Sequence, residues 1–472
     1  MRQPRKPLRS SIELYKGESQ QVELCNGKTV TVKLLDIEET RDSIRSAIRA
    51  SRVKVAVDGK DAWINSGNYN LPATIGDVLI DCPITGGYLK NGSGNNKWGL
   101  AKDARFRLWP VGSPLIAPGT FVCPIVQRWF ASDTQMSNEP TFVNGGENPT
   151  RPQVYYHWGL DFGGAEGMTD VLSAVDGIVV LSGEKVLDGY EEVFPEASYD
   201  GVYILDDRNW FHGYFHLKTI TVPIGKEVHQ GEKIGVLGKE GSSGGWSHLH
   251  YVIKCNQPSG EWATEESYAF VWEAYMREYS PSLIAVARPH QLVGVGETAS
   301  LDGRKSWSSS GEIANYKWIF TDGTTATGPI VKRKYENIGT HSEILEVTDS
   351  SGQVGYDFVK VQVLEGPHSK HAPPSIHAAY SPTLNIRPGD MVTFKVRGFN
   401  VGDGREVWDF GDGSGTVTVQ SDGNVDSHAE DGYAITSHSY RETGNYIIRV
   451  ERRDAQEDVV AVSHLLVCVS ND

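Results

Sequence analysis

Glycine and proline interrupt this chain so often that short strands and loops are favoured over long helices. Its 472 residues include 51 glycines and 22 prolines, which are the strongest turn-forming residues. Between them lie runs with the period-two alternation of half-buried strands, such as TVTVKLLDI (29–37) and RVKVAVDGKDAWI (52–64). The pattern therefore predicts a mainly β protein.

The chain is too long for one hydrophobic core. Typical domain sizes give roughly three or four domains, and a hydrophobic content of 39% is ordinary for a folded protein. We divide the chain into a β-rich accessory domain of unknown role (1–120), a central domain rich in histidine motifs (121–278), and two sandwich-like units (281–366 and 373–472).

The charge and hydropathy of the chain limit its partners. A formal net charge of -15 argues against nucleic acid, whose phosphates require a basic face. No stretch approaches the ~18 apolar residues of a membrane span. The acidic character fits an exported protein, and we expect a secreted, periplasmic or cell-surface location. The basic start MRQPRKPLRS has no apolar stretch after it, so no signal peptide is visible.

The cysteines do not predict a metal site. The five residues are Cys25, Cys82, Cys123, Cys255 and Cys468. They are scattered and form no CxxC pair, and their odd number leaves at least one thiol unpaired. We assign no disulfide.

Two segments have helical character. EETRDSIRSAIRAS (38–51) fits either one short helix or a loop that flanks strands, whereas EESYAFVWEAYMREY (265–279) predicts a helix at the end of the central domain. The rest of that domain predicts strands separated by glycine turns, namely DGIVVLSG (176–183), GVYILDD (201–207), HGYFHL (212–217), KIGVLG (233–238) and HLHYVIK (248–254).

The two C-terminal units repeat one pattern, an aromatic strand before an Asp-Gly turn, in YKWIFTDGT (316–324) and EVWDFGDGS (406–414). Both resemble PKD-type domains, which are immunoglobulin-like β-sandwiches, and WDFGDG is the most specific string. Trp318 and Trp408 are predicted core residues, and Asp412 with Gly413 a tight turn. EGPHSKHAPPS (365–375) is the predicted linker. Either a spacer role or carbohydrate or protein binding fits these units.

The central domain contains a set of histidine and aspartate residues that are candidates for a metal site. HWGLD places His157 and Asp161 four residues apart, and in SHLHY the alternation of a strand puts His248 and His250 on one face. His216 lies near the end of another predicted strand. Two histidines and one aspartate supply the three protein ligands of a catalytic zinc, and two further histidines remain for proton transfer.

Four motifs in order resemble the LytM and lysostaphin-type zinc endopeptidases: HWGLDFGG, LSAVDGIVVLSGE, GYFHL and VPIGKEVHQGEKIGVLGKEGSSGGWSHLH. The resemblance implies an antiparallel β-sheet zinc peptidase domain with a groove. It implies that His157, Asp161 and His250 bind Zn²⁺ and that His216 and His248 are catalytic. The implied reaction is hydrolysis of peptide bonds by metal-activated water, in peptidoglycan cross-links or glycine-rich protein. Either Tyr155 or Tyr156 adds a hydroxyl beside the site, or both pack.

The sequence departs from this family's pattern at three places. Ser247 stands where the family usually has proline, and Tyr251-Val252 stands where an acidic residue often follows the HLH motif. The loop DGYEEVFPEAS (188–198) is long and acidic. Its Glu191, Glu192 and Glu196 either favour a basic substrate or are simply solvated. We interpret two other histidines, His212 and His229, as surface or packing residues.

Two other functions remain open at this stage. One is a polysaccharide-active enzyme that uses the same zinc and histidine site, with glycan contact through the PKD-like units. The other is a non-catalytic binding protein on the peptidase scaffold, although the intact ligand set favours an enzyme. The sequence also leaves open whether the N-terminal region blocks the groove as an inhibitory segment.

Overall fold

A computed structural model describes residues 4–90, 96–135, 141–143, 154–194, 197–366 and 372–471. Strands dominate these ranges, and the predicted mainly β, multidomain architecture is confirmed. Glu196 and residues 367–371 of the predicted linker lie outside the described residues. No helix in these ranges has the length and apolar character needed to span a membrane.

The N-terminal region folds into two antiparallel sheets, in the orders β1-β8-β7-β6 and β2-β3-β4-β5. Alternate side chains of both sheets meet in one apolar core, in which Val32, Val55, Ile80 and Phe106 are fully buried. The elements are β1 (Ser10–Leu14), β2 (Ser19–Glu23), β3 (Thr29–Arg41), β4 (Ile48–Val57), β5 (Lys60–Asn65), β6 (Ala73–Ile75), β7 (Val78–Thr85), α1 (Gly86–Lys90) and β8 (Ala104–Pro110).

The helix considered for residues 38–51 is wrong. β3 and β4 continue into this segment, and residues 42–47 connect them. Charged side chains pair across the hairpin, since Glu38 lies opposite Arg52 and forms an ion pair with it at 2.6 Å. Opposite charges on facing strands stabilise a hairpin as they do a helix at i, i+4 spacing, so the charge pattern alone does not distinguish the two structures.

The central region is built on an eight-stranded antiparallel sheet with the main order β11-β20-β16-β15-β13-β14. The predicted helix is confirmed as α2, whose Phe270 and Val271 are fully buried in the core of this region. The elements are β9 (Thr141–Val143), β10 (Val154–Tyr156), β11 (Leu160–Gly163), β12 (Asp170–Leu172), β13 (Gly177–Ser182), β14 (Lys185–Val186), β15 (Val202–Asp206), β16 (Phe211–Phe215), β17 (Leu217–Ile220), β18 (Glu227–Val228), β19 (Lys233–Leu237), β20 (His248–Asn256), β21 (Trp262–Glu265) and α2 (Tyr268–Tyr279).

Each C-terminal unit has its own core, centred on a fully buried tryptophan, Trp318 in the first and Trp408 in the second. The units also share a nine-stranded sheet, because β29 and β37 meet in parallel at Thr340 and Ala461. The first unit contains β22 (Leu283–Ile284), β23 (Gln291–Gly294), β24 (Thr298–Asp302), β25 (Trp307–Ser308), β26 (Ile313–Ile319), β27 (Thr325–Thr327), β28 (Ile330–Lys334), β29 (Gly339–Asp349) and β30 (Val354–Leu364). The second contains β31 (Ser375–Ser381), β32 (Val392–Phe399), β33 (Gly404–Asp409), β34 (Val417–Val419), β35 (Ala434–His438), β36 (Gly444–Asp454) and β37 (Val459–Val469).

The turn predicted at Asp412 and Gly413 is present. The Asp412 carboxylate accepts a hydrogen bond from the backbone N–H of Ser414 at 3.0 Å, and Gly413 has a φ of 77°. All five cysteines are free thiols, and four of them are at least partly buried.

A buried ion-pair network joins the N-terminal region to the central region. Arg107 of β8 is fully buried and pairs with Asp81 of its own sheet. Its guanidinium also donates to the carboxylates of Glu265 and Glu266, each at 3.0 Å, just before α2. Buried charges are stable only when they are paired and hydrogen-bonded, so this network fixes how the two regions pack.

We predict that Arg107→Ala lowers the free energy of unfolding by about 3–5 kcal/mol, because it leaves buried carboxyl groups without their cation. Urea denaturation checks this. The matched control is Arg5→Ala, which removes the exposed pair with Asp207 and is expected to cost about 0–1 kcal/mol. Equal effects of the two substitutions would contradict the role of the Arg107 network.

Candidate metal centre

Strand β20 brings together residues that are far apart in the sequence. It lies between β11 and β16, and its register places Asp161 directly opposite His250 and Gly163 opposite His248. On the other side, Phe215 pairs with His250, so that His216 follows at the same edge of the sheet. The alternation of the strand puts His248 and His250 on one face.

Three side-chain atoms converge on one point. His157 Nε2 lies 3.2 Å from His250 Nδ1 and 3.3 Å from Asp161 Oδ1, and His250 Nδ1 lies 2.8 Å from the same oxygen. All three side chains are less than 10% exposed. Among the described residues, these three form the one group of histidine, cysteine or acidic side chains close enough to hold a metal ion together.

The spacing of these atoms fits a small divalent metal. Tetrahedral zinc with ligand distances of about 2.0–2.2 Å places neighbouring ligand atoms roughly 3.3 Å apart. The observed separations of 2.8–3.3 Å are close to that value. Two imidazole nitrogens and one carboxylate oxygen are also a common ligand set of catalytic zinc.

The electrostatics of the site favour the protonation states that metal binding needs. Burial alone would raise the pKa of Asp161, but the neighbouring His157 and His248 and the hydrogen bonds from the histidines hold it well below its usual range. Burial lowers the pKa of His250. A carboxylate facing neutral imidazoles is the state that coordinates a metal ion.

His216 is held in one orientation by its surroundings. Its φ of 66° is unusual for a residue other than glycine. The Asp200 carboxylate accepts a hydrogen bond from the backbone N–H of His216 and lies 3.0 Å from its Nδ1. The Glu240 carbonyl oxygen lies 2.8 Å from the same nitrogen. Because both neighbours are acceptors, Nδ1 carries the hydrogen and Nε2 is left for the cavity.

His248 is oriented by Trp246, two residues before it. The indole stacks on the imidazole with ring centroids 3.7 Å apart and planes 9° apart. His248 Nδ1 donates to the Trp246 carbonyl at 3.0 Å, which leaves Nε2, 3.9 Å from Asp161 Oδ1, facing the cluster. The rings of His216 and His248 lie 4.5 Å apart, so the structure brings all five predicted site residues together.

The structure distinguishes the positions of the other residues singled out in the sequence: one lines the cavity, two are buried and one is on the surface. Tyr155 lines the cavity, while Tyr156 is buried against Tyr88 at a centroid distance of 4.1 Å. His212 is fully buried and bonded to Tyr251 and Asp206, and therefore packs. His229 is a surface residue, with an 85% exposed side chain.

Glu191 and Glu192 of the acidic loop are not among the residues that line the groove. Phe194 stacks on Tyr203 with centroids 4.5 Å apart and contacts Phe211 edge to face. The loop therefore packs on the same face of the sheet as His250, because Tyr203 also contacts Phe215, which pairs with His250 across the strands. Glu191 and Glu192 are exposed there, and Ser198 is the part of the described loop that lines the cavity.

The site opens into a cavity of about 1350 Å³. All four regions of the chain line it, including Asn68 and Tyr88 of the N-terminal region, Lys305 of the first sandwich and His377 of the second. The N-terminal region thus forms a wall of the groove. The spacing of motifs could not predict this enclosure, and it also missed Asp200, which lies in a turn without any motif.

The antiparallel sheet thus brings a buried His-Asp-His cluster and two oriented histidines together, and the family comparisons place this domain among the metallopeptidases. The model of peptidase family M23 matches residues 155–260, and that of the PKD domain matches residues 281–363. The chain thus carries an M23 peptidase domain followed by a PKD domain. The PKD match falls on the first sandwich, although the second carries the WDFGDG string.

Individual proteins resemble parts of the chain. An uncharacterized metalloprotease of Buchnera aphidicola is 32% identical over 106 residues, which are 22% of this chain and only a quarter of that protein. The catalytic domain of lysostaphin from Staphylococcus simulans is 23% identical, with a TM-score of 0.20, covering 25% of this chain and 80% of that one. A putative glycyl-glycine endopeptidase lytM from Ruminococcus gnavus is 20% identical, with a TM-score of 0.23, covering 33% and 60%.

Gly159 gives a test of the metal centre in which no ligand residue is substituted. A Cβ at this position would lie 2.6 Å from His250 Cε1 and 2.8 Å from the Tyr251 carbonyl oxygen. We predict that Gly159→Ala displaces the imidazole and weakens binding of a Co²⁺ or Zn²⁺ probe by roughly 10–100-fold, as measured by calorimetry. Gly415→Ala is the control, because its Cβ meets nothing within 4 Å. Equal affinities in the two variants would contradict this geometry.

Proposed function

We propose that this protein is a zinc-dependent endopeptidase that hydrolyses peptide bonds in peptidoglycan cross-links or in glycine-rich protein segments, outside the cytoplasm. The observation that carries the proposal is the convergence of His157, Asp161 and His250 within hydrogen-bonding distance of one another, beside two further oriented histidines in a cavity. The M23 domain match supports the same reaction class.

His157, Asp161 and His250 would hold Zn²⁺, which would supply a Lewis acid and lower the pKa of water at the site towards ~7. The chain's own residues handle the protons. His248 Nε2 faces the cluster and can accept a proton from water, because its Nδ1 is engaged by the Trp246 carbonyl. His216 Nε2 is directed to the cavity and, once it has taken up a proton, can donate to the oxyanion that develops on the peptide carbonyl.

Asp200 acts through His216. Its pKa is held at about 2: burial opposes this value, but the hydrogen bonds from His216 and Ser198, together with the charge of His216, outweigh burial. A carboxylate at Nδ1 fixes the tautomer and stabilises the imidazolium. His216 is therefore suited to donate a proton from Nε2 after receiving one.

The enclosure of the cavity supports a thin, flexible substrate. The cavity walls come from four regions of the chain, and a folded protein surface cannot reach a cluster recessed among them. Extended peptide bridges and glycine-rich segments have little side-chain bulk and no fixed structure, so they fit such a groove. This favours a peptidoglycan peptide over a globular substrate.

The main test separates ligands from proton-handling residues. We predict that His250→Ala loses the metal and all activity, whereas His216→Ala and His248→Ala keep close to one equivalent of zinc and lose roughly 10²–10⁴ in kcat. Elemental analysis measures the metal, and chromatography of products from purified cell wall and from oligoglycine peptides measures cleavage. His229→Ala is the control, because this exposed histidine lies outside the site.

Full activity of His250→Ala would contradict the proposal. Zinc binding without cleavage of any peptide would favour the binding-protein alternative. Release of reducing sugar without new amino termini would favour the polysaccharide-active alternative.

Substrate access gives a second test. We predict that a glycine-rich sequence is cleaved much faster as a free peptide than when it is displayed in a short, structured loop of a stable globular protein. Mass spectrometry of time courses with both substrates checks this, with a heat-unfolded sample of the globular protein as the control. Equal rates for the folded and free forms would contradict the enclosed groove.

A further inference from the structure

The segment that leads into β20 is contacted by the second sandwich as well as by the central region. This segment, residues 239–247, is called here the His248 loop, because it ends one residue before His248. It contains glycines at 241, 244 and 245, all with positive φ. Such a sequence has high conformational freedom, and its ordering needs contacts from elsewhere.

Four side chains of the second sandwich supply these contacts. His428 Nε2 lies 2.8 Å from the Gly241 carbonyl oxygen, and Asn424 Nδ2 donates to that of Gly244 at 3.1 Å. Arg397 Nη1 donates to the Gly245 carbonyl at 2.7 Å. The fourth contact runs in the other direction, since the backbone N–H of Ser247 donates to Tyr433 Oη at 2.8 Å.

Arg397 is held rigidly for this contact. It is fully buried, and its guanidinium pairs with Asp422. Its other N–H groups donate to the carbonyl oxygens of Asp426 and Ser427 as well as Gly245. All five donors of the side chain are therefore used, which leaves it one orientation. A Cβ at Gly245 would in turn lie 2.1 Å from Asn424 Oδ1, so the loop and the sandwich fit closely.

Ser247 is the position at which the sequence departs from the family's proline. Proline has no backbone N–H and could not make the hydrogen bond to Tyr433. Tyr433 Oη also shares a hydrogen bond with His377 Nδ1 at 2.8 Å, and the His377 ring contacts Trp246 edge to face at 5.6 Å. The departure thus coincides with a chain of contacts from the sandwich to the indole that stacks on His248.

We infer that the second sandwich is part of the active site: Tyr433 is a positioning residue that, through Ser247 and Trp246, holds His248 in its orientation for catalysis. This inference rests on the proposed function. It assigns the sandwich a positioning role in place of that of a spacer. The hydroxyl of Tyr433 is uncharged at all working pH values, because burial raises its pKa, and it acts only as a hydrogen-bonding group.

The test uses the full-length, zinc-loaded protein. We predict that Tyr433→Phe lowers kcat roughly 5- to 10-fold, the effect of one lost hydrogen bond, with KM within about twofold of the wild type because substrate contacts are unchanged. Zinc content stays the same. Amide hydrogen exchange of residues 239–248 becomes faster, while exchange in the sandwich core is unchanged. The matched control is Tyr446→Phe, whose hydroxyl bonds only within the same sandwich, to the Glu442 carbonyl.

A second variant tests the same hydrogen bond from its other partner. Ser247→Pro removes the donor of the same hydrogen bond, so the kcat losses of Ser247→Pro and Tyr433→Phe should not multiply in the double variant. Loop exchange or kcat in Tyr433→Phe equal to that in Tyr446→Phe overturns the inference. If the proposed function is wrong, the result is different: the wild-type protein binds zinc but cleaves no substrate. In that case the exchange comparison still decides whether Tyr433 holds the loop.

Discussion

The antiparallel pairing of β11 with β20 is the constraint on which the site depends. It puts Asp161 opposite His250, and the alternation of β20 then puts His248 on the same face. A one-residue slip in this pairing would turn every side chain of one strand to the other face. β20 is buried along nearly its whole length, so such a slip would also expose apolar side chains. The hydrophobic core thereby fixes the geometry of the polar cluster.

Four of the five site residues could be predicted from local spacing, and His216 from the resemblance of GYFHL to a family motif. His157 and Asp161 are four residues apart, and His248 and His250 two apart, so short motifs fix their relative positions. Asp200 could not be predicted in this way. It lies in a turn 16 residues before His216 and reaches it only because β15 and β16 pair in sequence. Its role depends on tertiary contact, for which the sequence has no periodic signal.

In the fold, too, elements with a clear local sequence pattern were predicted, and a segment whose structure depends on tertiary contacts was not. Strand alternation predicted the β architecture, and the apolar face of residues 268–279 predicted α2. The segment 38–51 was ambiguous for a physical reason. Ile44, Ala47 and Ile48 have helical spacing, and all three are buried, but they are buried at the tip of a hairpin. Burial by a neighbouring region therefore produced a pattern that resembles an amphipathic helix.

Two buried arginines show why the cavity belongs to the whole chain and not to the peptidase domain alone. Arg107 uses all its donors on groups of the N-terminal and central regions, and Arg397 uses all its donors on the second sandwich and the His248 loop. A planar guanidinium with every donor engaged fixes distance and angle together. Each arginine therefore sets the placement of one region against the central sheet. The N-terminal region and the second sandwich both line the cavity, so weakening either contact would change access to the candidate metal centre without altering a single ligand.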